Sequence, residues 1–117
     1  MKKIILYHNP HWGKSRGAVS LLEQNGVEFT KVEYLKHPLN RDEILSLSNK
    51  LGMAPSGFVR KNEASYKENN FGKILNDDEA MAEAMEKFPK MMERPIAVKG
   101  AKAVIGRPPK NVLTLLD

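Results

Sequence analysis

The 117-residue chain contains no cysteine. That absence excludes disulfides, cysteine-ligated zinc, iron–sulfur clusters and any thiol nucleophile of the chain's own. Histidine is scarce: His8, His11 and His37 are the only three. None stands at a metal-ligand spacing such as HExxH, so no metal site is expected. Aromatic residues make up 7% of the chain. None interleaves with Lys or Arg as a base-stacking platform requires, so nucleic acid is not an expected partner. No apolar run approaches the roughly 20 residues that span a bilayer, and no membrane association is expected. Met1-Lys2-Lys3 is followed by only Ile4-Ile5-Leu6. This is too short for the apolar region of a secretory leader, and the expectation is a cytoplasmic protein. No repeat, low-complexity tract or Ser/Gly linker divides the chain, which reads as one domain over residues 1–117.

What is present is ordinary for a globular protein: 41% apolar and 28% charged residues. The balance is basic, with 19 Lys and Arg against 14 Asp and Glu, a net charge of +5. A basic balance favours an anionic partner, whether nucleic acid, phosphate or another oxyanion, but the charges are scattered rather than blocked, which reads as a solvated basic surface.

Hydrophobic periodicity organises the chain. Residues 3–7 (KIILY) read as a strand that runs into the turn signal Asn9-Pro10. Residues 14–25 read as a helix stopped at Asn25-Gly26. Residues 27–34 alternate with period two, a second strand parallel to the first across the helical crossover. Asn40 with Glu43 forms a capping box ahead of Ile44, Leu45, Leu47 and Leu51, and that helix stops at Gly52. Residues 54–73 read as short helical turns and loop. Asn76 with Glu79 is a second capping box, opening a helix with Met81, Met85 and Phe88 on one face, closed by Pro89. Residues 96–99 and 103–105, joined by Gly100-Ala101-Lys102, form an antiparallel hairpin. A last helix starts after Pro108-Pro109 with Val112, Leu113 and Leu116 as its apolar face. The order is βαβ, a helical insert over about 40–89, then ββα. This predicts an α/β protein with a four-stranded mixed sheet of thioredoxin-like arrangement.

The first loop, YHNPHWGKSR over residues 7–16, is the candidate site. Gly13-Lys14-Ser15 suggests a phosphate loop, but the glycine required five residues earlier is His8, so nucleotide hydrolysis is not expected. A plainer anion site remains, because amides at a helix start point outward with the positive end of the dipole behind them. The competing local reading has Ser15 capping the helix while Lys14 and Arg16 are solvated. Arg94-Pro95 and Arg107-Pro108 bracket the predicted hairpin, and Arg60 lies in the insert beside Lys61. Three arginines converging on the loop would take a tetrahedral oxyanion, since guanidinium forks match such anions in bidentate fashion. Pro95, just before a strand, is a candidate cis-proline.

These residues resemble a known family. YHNPxxGKSR at the first loop, RKNE at 60–63, ERPI at 93–96 and GRP at 106–108 are similar to the glutaredoxin-linked arsenate reductases, a group that also includes the Spx-type regulators. The likeness runs from Lys3 to Leu116, with four motifs in the same order. It implies a thioredoxin-like fold with a helical insert. It also implies a site in which a loop cysteine attacks arsenate and three arginines bind the oxyanion and stabilise the thiolate adduct. Glutathione and glutaredoxin then complete the reduction as co-substrates, and no cofactor is bound. By the same resemblance Arg60, Arg94 and Arg107 are the oxyanion ligands. His8, Asn9, Ser15 and Arg16 support the loop, and Pro95 matches the family's cis-proline.

The departure is at Trp12, which stands in the nucleophile's position. An indole cannot form a sulfur–arsenic bond, and a hydroxyl such as that of Ser15 brings no two-electron redox partner. Deleting a nucleophile costs on the order of 10⁶ in rate while binding survives. The expectation is therefore an arsenate-reductase-family protein whose arginines bind arsenate, phosphate or sulfate but which has no thiol chemistry of its own. Attack by an external thiol such as glutathione is the one remaining route to reduction. The alternative is an Spx-like regulatory or protein-interaction module without enzymatic activity, working by protein contacts. Against it stand Arg107, the His8-Asn9-Pro10 turn and the missing Cys-x-x-Cys switch. Glutaredoxin or another protein is the candidate protein partner of the chain.

Overall fold

The computed structural model describes residues 3–116, so the leader reading at Met1 and Lys2 lies outside the described residues. The chain sorts into two compact units, Met1–His37 with Arg94–Asp117, and Pro38–Glu93.

The first unit is built on β1 (Ile4–His8), α1 (Gly13–Gln24), β2 (Phe29–Glu33), β3 (Ile96–Lys99) and β4 (Lys102–Ile105). Four strands among the described residues form one sheet in the order β2-β1-β3-β4. β1 runs parallel to β2, from Ile4 opposite Phe29 to His8 opposite Glu33. It runs antiparallel to β3, from Ile4 opposite Lys99 to Tyr7 opposite Ile96. This is the mixed sheet expected from the βαβ and ββα patterns. In β1 burial alternates with the strand period: Ile4, Leu6 and His8 are buried and Ile5 is exposed. Ile4, Leu6 and Ala97 of the sheet pack with Ala18 and Leu22 of α1 and with Val112 and Leu115. Burial of each Leu or Ile side chain contributes about 1.5–3 kcal/mol.

Three local expectations shift. The second strand is shorter than residues 27–34 because its ladder extends only as far as the five residues of β1. The hairpin turn is the two-residue Gly100-Ala101, since Lys102 already pairs with Lys99. Gly100 at φ +62° takes the first central position, where only glycine sits without cost. The last helix, Pro109–Leu116, is of 3-10 type and buries Val112 and Leu115 rather than the expected face of 112, 113 and 116. With three residues per turn, positions i and i+3 eclipse, which selects that pair.

The second unit holds α2 (Arg41–Leu51), α3 (Ala64–Glu68) and α4 (Asp78–Lys87), with short 3-10 turns between them. The capping box forms as read: Asn40 accepts from the Glu43 amide and the Glu43 carboxylate accepts from the Asn40 amide. Gly52 ends α2 in the left-handed conformation at φ +70°. The second box does not form at Asn76. Asp77 caps α4 instead, accepting from the Ala80 amide at 3.1 Å. Asp caps as well as Asn does, and the Asp77 amide closes the preceding turn on Ile74. α2 packs on α4, with Ile44 and Leu47 of the first and Met81 and Met85 of the second buried. Phe88 is only half-buried and tilts against Phe71 at 5.8 Å. No helix among the described residues is long and apolar enough to cross a membrane.

Candidate oxyanion site

The sheet register gathers the site. β1 ends at His8, and residues 9–12 leave its C-terminal end for α1. β3 starts opposite Tyr7, so Arg94-Pro95 precedes it at that same end. β4 is antiparallel to β3 with Ile105 opposite Ile96, so Gly106 and Arg107 return there too. The Gly106 amide donates to the Pro95 carbonyl at 2.7 Å, tying the two arginine-bearing connections together. A Cβ at Gly106 would lie 2.8 Å from the Pro95 ring and 3.1 Å from Val112, so only glycine fits this approach.

The loop is set by its own sequence. The Trp12 amide donates to the Asn9 carbonyl at 3.1 Å, closing a turn with Pro10 second, where its fixed φ suits a turn. The Asn9 side chain accepts from the His11 amide at 3.1 Å. Ser15, fully buried, accepts from the Asn9 amide at 3.3 Å, so its hydroxyl braces the loop rather than capping the helix. Trp12 is the N-cap residue of α1 in extended conformation, and no side chain caps the helix. Gly13, Lys14 and Ser15 therefore open α1 with amides that have no intrahelical acceptor.

Trp12 is 46% exposed, while Arg94 is 5% exposed with its guanidinium carbon 3.5 Å from the centre of the indole ring. Trp12, Gly13, Lys14, Arg94 and Arg107 line a depression of about 200 Å³. Three of its five lining residues are cations and none is an acid. The bond before Pro95 is cis, as expected, and so is the bond before Pro108.

The remaining predicted residues stand elsewhere. Arg16 is exposed and donates to the Pro10 carbonyl at 3.2 Å, supporting the loop without lining the depression. His8 is buried, and its Nδ1 has no hydrogen-bond partner among the described residues. Burial, then Lys31, hold its pKa below the ordinary 6.5, outweighing the opposing effect of Glu33. Arg60 belongs to the helical unit, where its guanidinium is 2.8 Å from Glu63 and 3.7 Å from Glu93. No group of three His, Asp or Glu among the described residues is placed to hold a metal. Sequence reasoning left Lys14 among solvated residues on one of its two readings, and it did not foresee the stacking of Trp12 on Arg94.

The pattern of the ArsC family matches residues 7–115. This chain belongs to the ArsC family. It is 42% identical over 116 residues to the uncharacterized protein YfgD of Escherichia coli K12, covering 98% of each. It is 38% identical over 117 residues to the arsenate reductase of Neisseria meningitidis serogroup B, covering 99% of this chain and all of the relative. Among solved structures, the arsenate reductase from Vibrio cholerae superposes with a TM-score of 0.92 at 37% identity, over 97% of both chains. The thioredoxin-like α/β fold expected from the sequence is the fold of this ArsC-family protein. It is an arsenate-reductase-family chain without a cysteine at the nucleophile's place or at any other.

Proposed function

We propose that this ArsC-family protein binds a tetrahedral oxyanion of the arsenate, phosphate and sulfate class without reducing it by a thiol of its own. The observation that carries the reading is the depression lined by Lys14, Arg94 and Arg107 at the opening of α1. A multiply charged oxyanion there meets three cations, the positive end of the helix and two guanidinium forks. Charge-assisted bonds of this kind contribute roughly 1.5–3 kcal/mol each. His8, kept neutral by burial, adds no charge.

Arg60 enters this reading as the third arginine through its motif alone. Its carboxylate partners Glu63 and Glu93 compete with any anion that reaches it, so its contribution is expected to be smaller than that of Arg94 or Arg107. Reduction of arsenate to arsenite takes two electrons, which the family draws from thiols. Glutathione and glutaredoxin act there on a cysteine adduct, and Trp12 forms none, so arsenate is held rather than turned over.

Calorimetric titration at low salt tests the reading. Arsenate, phosphate and sulfate are expected to bind at a single site, and Arg94→Ala and Arg107→Ala each to abolish the heat. The same heat in both variants would refute it.

A further inference from the structure

We infer that Trp12 is a positioning residue: by stacking on Arg94 it holds that guanidinium in the plane in which an arginine takes an oxyanion. The inference rests on the oxyanion reading above and concerns how the site is held together without a thiolate.

Arg94 is buried, and it lines the depression with two further cations. Burial and like charge both work against a guanidinium in that place, which favours a stabilising contact. The indole supplies one, because the negative face of its π system attracts a cation lying over it. The separation of 3.5 Å is that of direct stacking.

The geometry of the two contacts decides their consequence. A guanidinium hydrogen-bonds through N–H groups that lie in its own plane, whereas stacking uses its face. The indole can therefore support Arg94 while an oxyanion bonds to its edge. A carboxylate partner would use the same edge as the anion.

Trp12 is fit to hold another side chain because its own backbone is fixed on both sides. Its amide donates to Asn9, and its carbonyl accepts from the Arg16 amide at 3.1 Å. The side chain thus leaves a closed turn at the N-cap of α1.

The test is arsenate affinity, read by calorimetry, in the wild type, Trp12→Phe and Trp12→Leu. Leu fills space without a π face, and Phe keeps one. Trp12→Leu is expected to weaken binding roughly tenfold, the scale of one partly desolvated cation–π contact. Trp12→Phe is expected to stay within about threefold of wild type. The Arg94 Nε–H resonance gives a second readout. It should carry the upfield ring-current shift in the wild type and in Trp12→Phe and lose it in Trp12→Leu, with circular dichroism showing the fold intact. Wild-type binding with undiminished affinity in Trp12→Leu overturns this inference alone. So does an Arg94 resonance that ignores the substitution. No binding by the wild type overturns the oxyanion reading and this inference with it.

Discussion

The guanidinium of Arg94 lies 3.5 Å above the indole of Trp12. This contact joins the residue expected at the position of the family's nucleophile to one of the arginines proposed to bind the oxyanion. It can be read without any ligand, because Trp12 is the only tryptophan. Removing Arg94 exposes one face of the indole to water. Arg94→Ala is therefore expected to shift tryptophan emission to longer wavelength. An unchanged spectrum would mean that the two side chains do not stack in solution.

Restoring the thiol tests the rest of the loop. Trp12→Cys, with glutathione and glutaredoxin supplied, is expected to reduce arsenate where the wild type stays at the background rate. Recovery should be partial, with a raised KM, because Arg94 loses its stacking partner in the same substitution. A variant with no activity would show that the site differs from its relatives in more than its nucleophile.

His8 makes stability depend on pH. Its folded pKa lies below 6.5, so in the window between the two values the unfolded chain binds more protons than the folded one. The contribution of neutral His8 is fully present above pH 6.5 and is lost as pH falls through that value toward the folded pKa. The slope from one such group is at most about 1.4 kcal/mol per pH unit. Urea unfolding from pH 7.5 to 5.5 should show wild type losing stability faster than His8→Gln. Parallel profiles would assign the pH dependence to other groups.

Gly106 couples packing to the site. Gly106→Ala forces a methyl group within 2.8 Å of the Pro95 ring, the residue after Arg94. The expected cost is about 1–3 kcal/mol of stability by denaturant unfolding, as for other overpacked positions. Arsenate affinity should fall as well, because Pro95 must move and Arg94 is bonded to it. Lost stability with unchanged affinity would show that the Pro95 shift does not reach Arg94.

Local features were the most legible in the sequence. The β1-α1-β2 order and the Asn40–Glu43 box depend on neighbouring residues, and both appear as read. Where two local solutions competed, the pattern did not choose between them: Asn76 and Asp77 both suit an N-cap, and Asp77 takes the position. The end of β2 was set by its partner strand, information that lies far away in sequence. The motifs pointed to Arg94, Arg107 and the Trp12 loop, and the register of β1, β3 and β4 brings them to one end of the sheet. The stacking of Trp12 on Arg94 left no periodic or local trace, since it exists only once the fold joins the two segments. The pairing of Arg60 with Glu63 was present at i, i+3 in the RKNE motif. Its consequence, a guanidinium already occupied by acids, needed the second partner, Glu93, as well.

Equilibrium dialysis against arsenate, with glutathione and glutaredoxin present and the oxidation state of the bound arsenic determined, tests binding and chemistry together. The account predicts saturable binding that disappears in Arg94→Ala, with the arsenic recovered as arsenate. Arsenite formed at a rate above the protein-free control, or no bound arsenic at low salt, would contradict it.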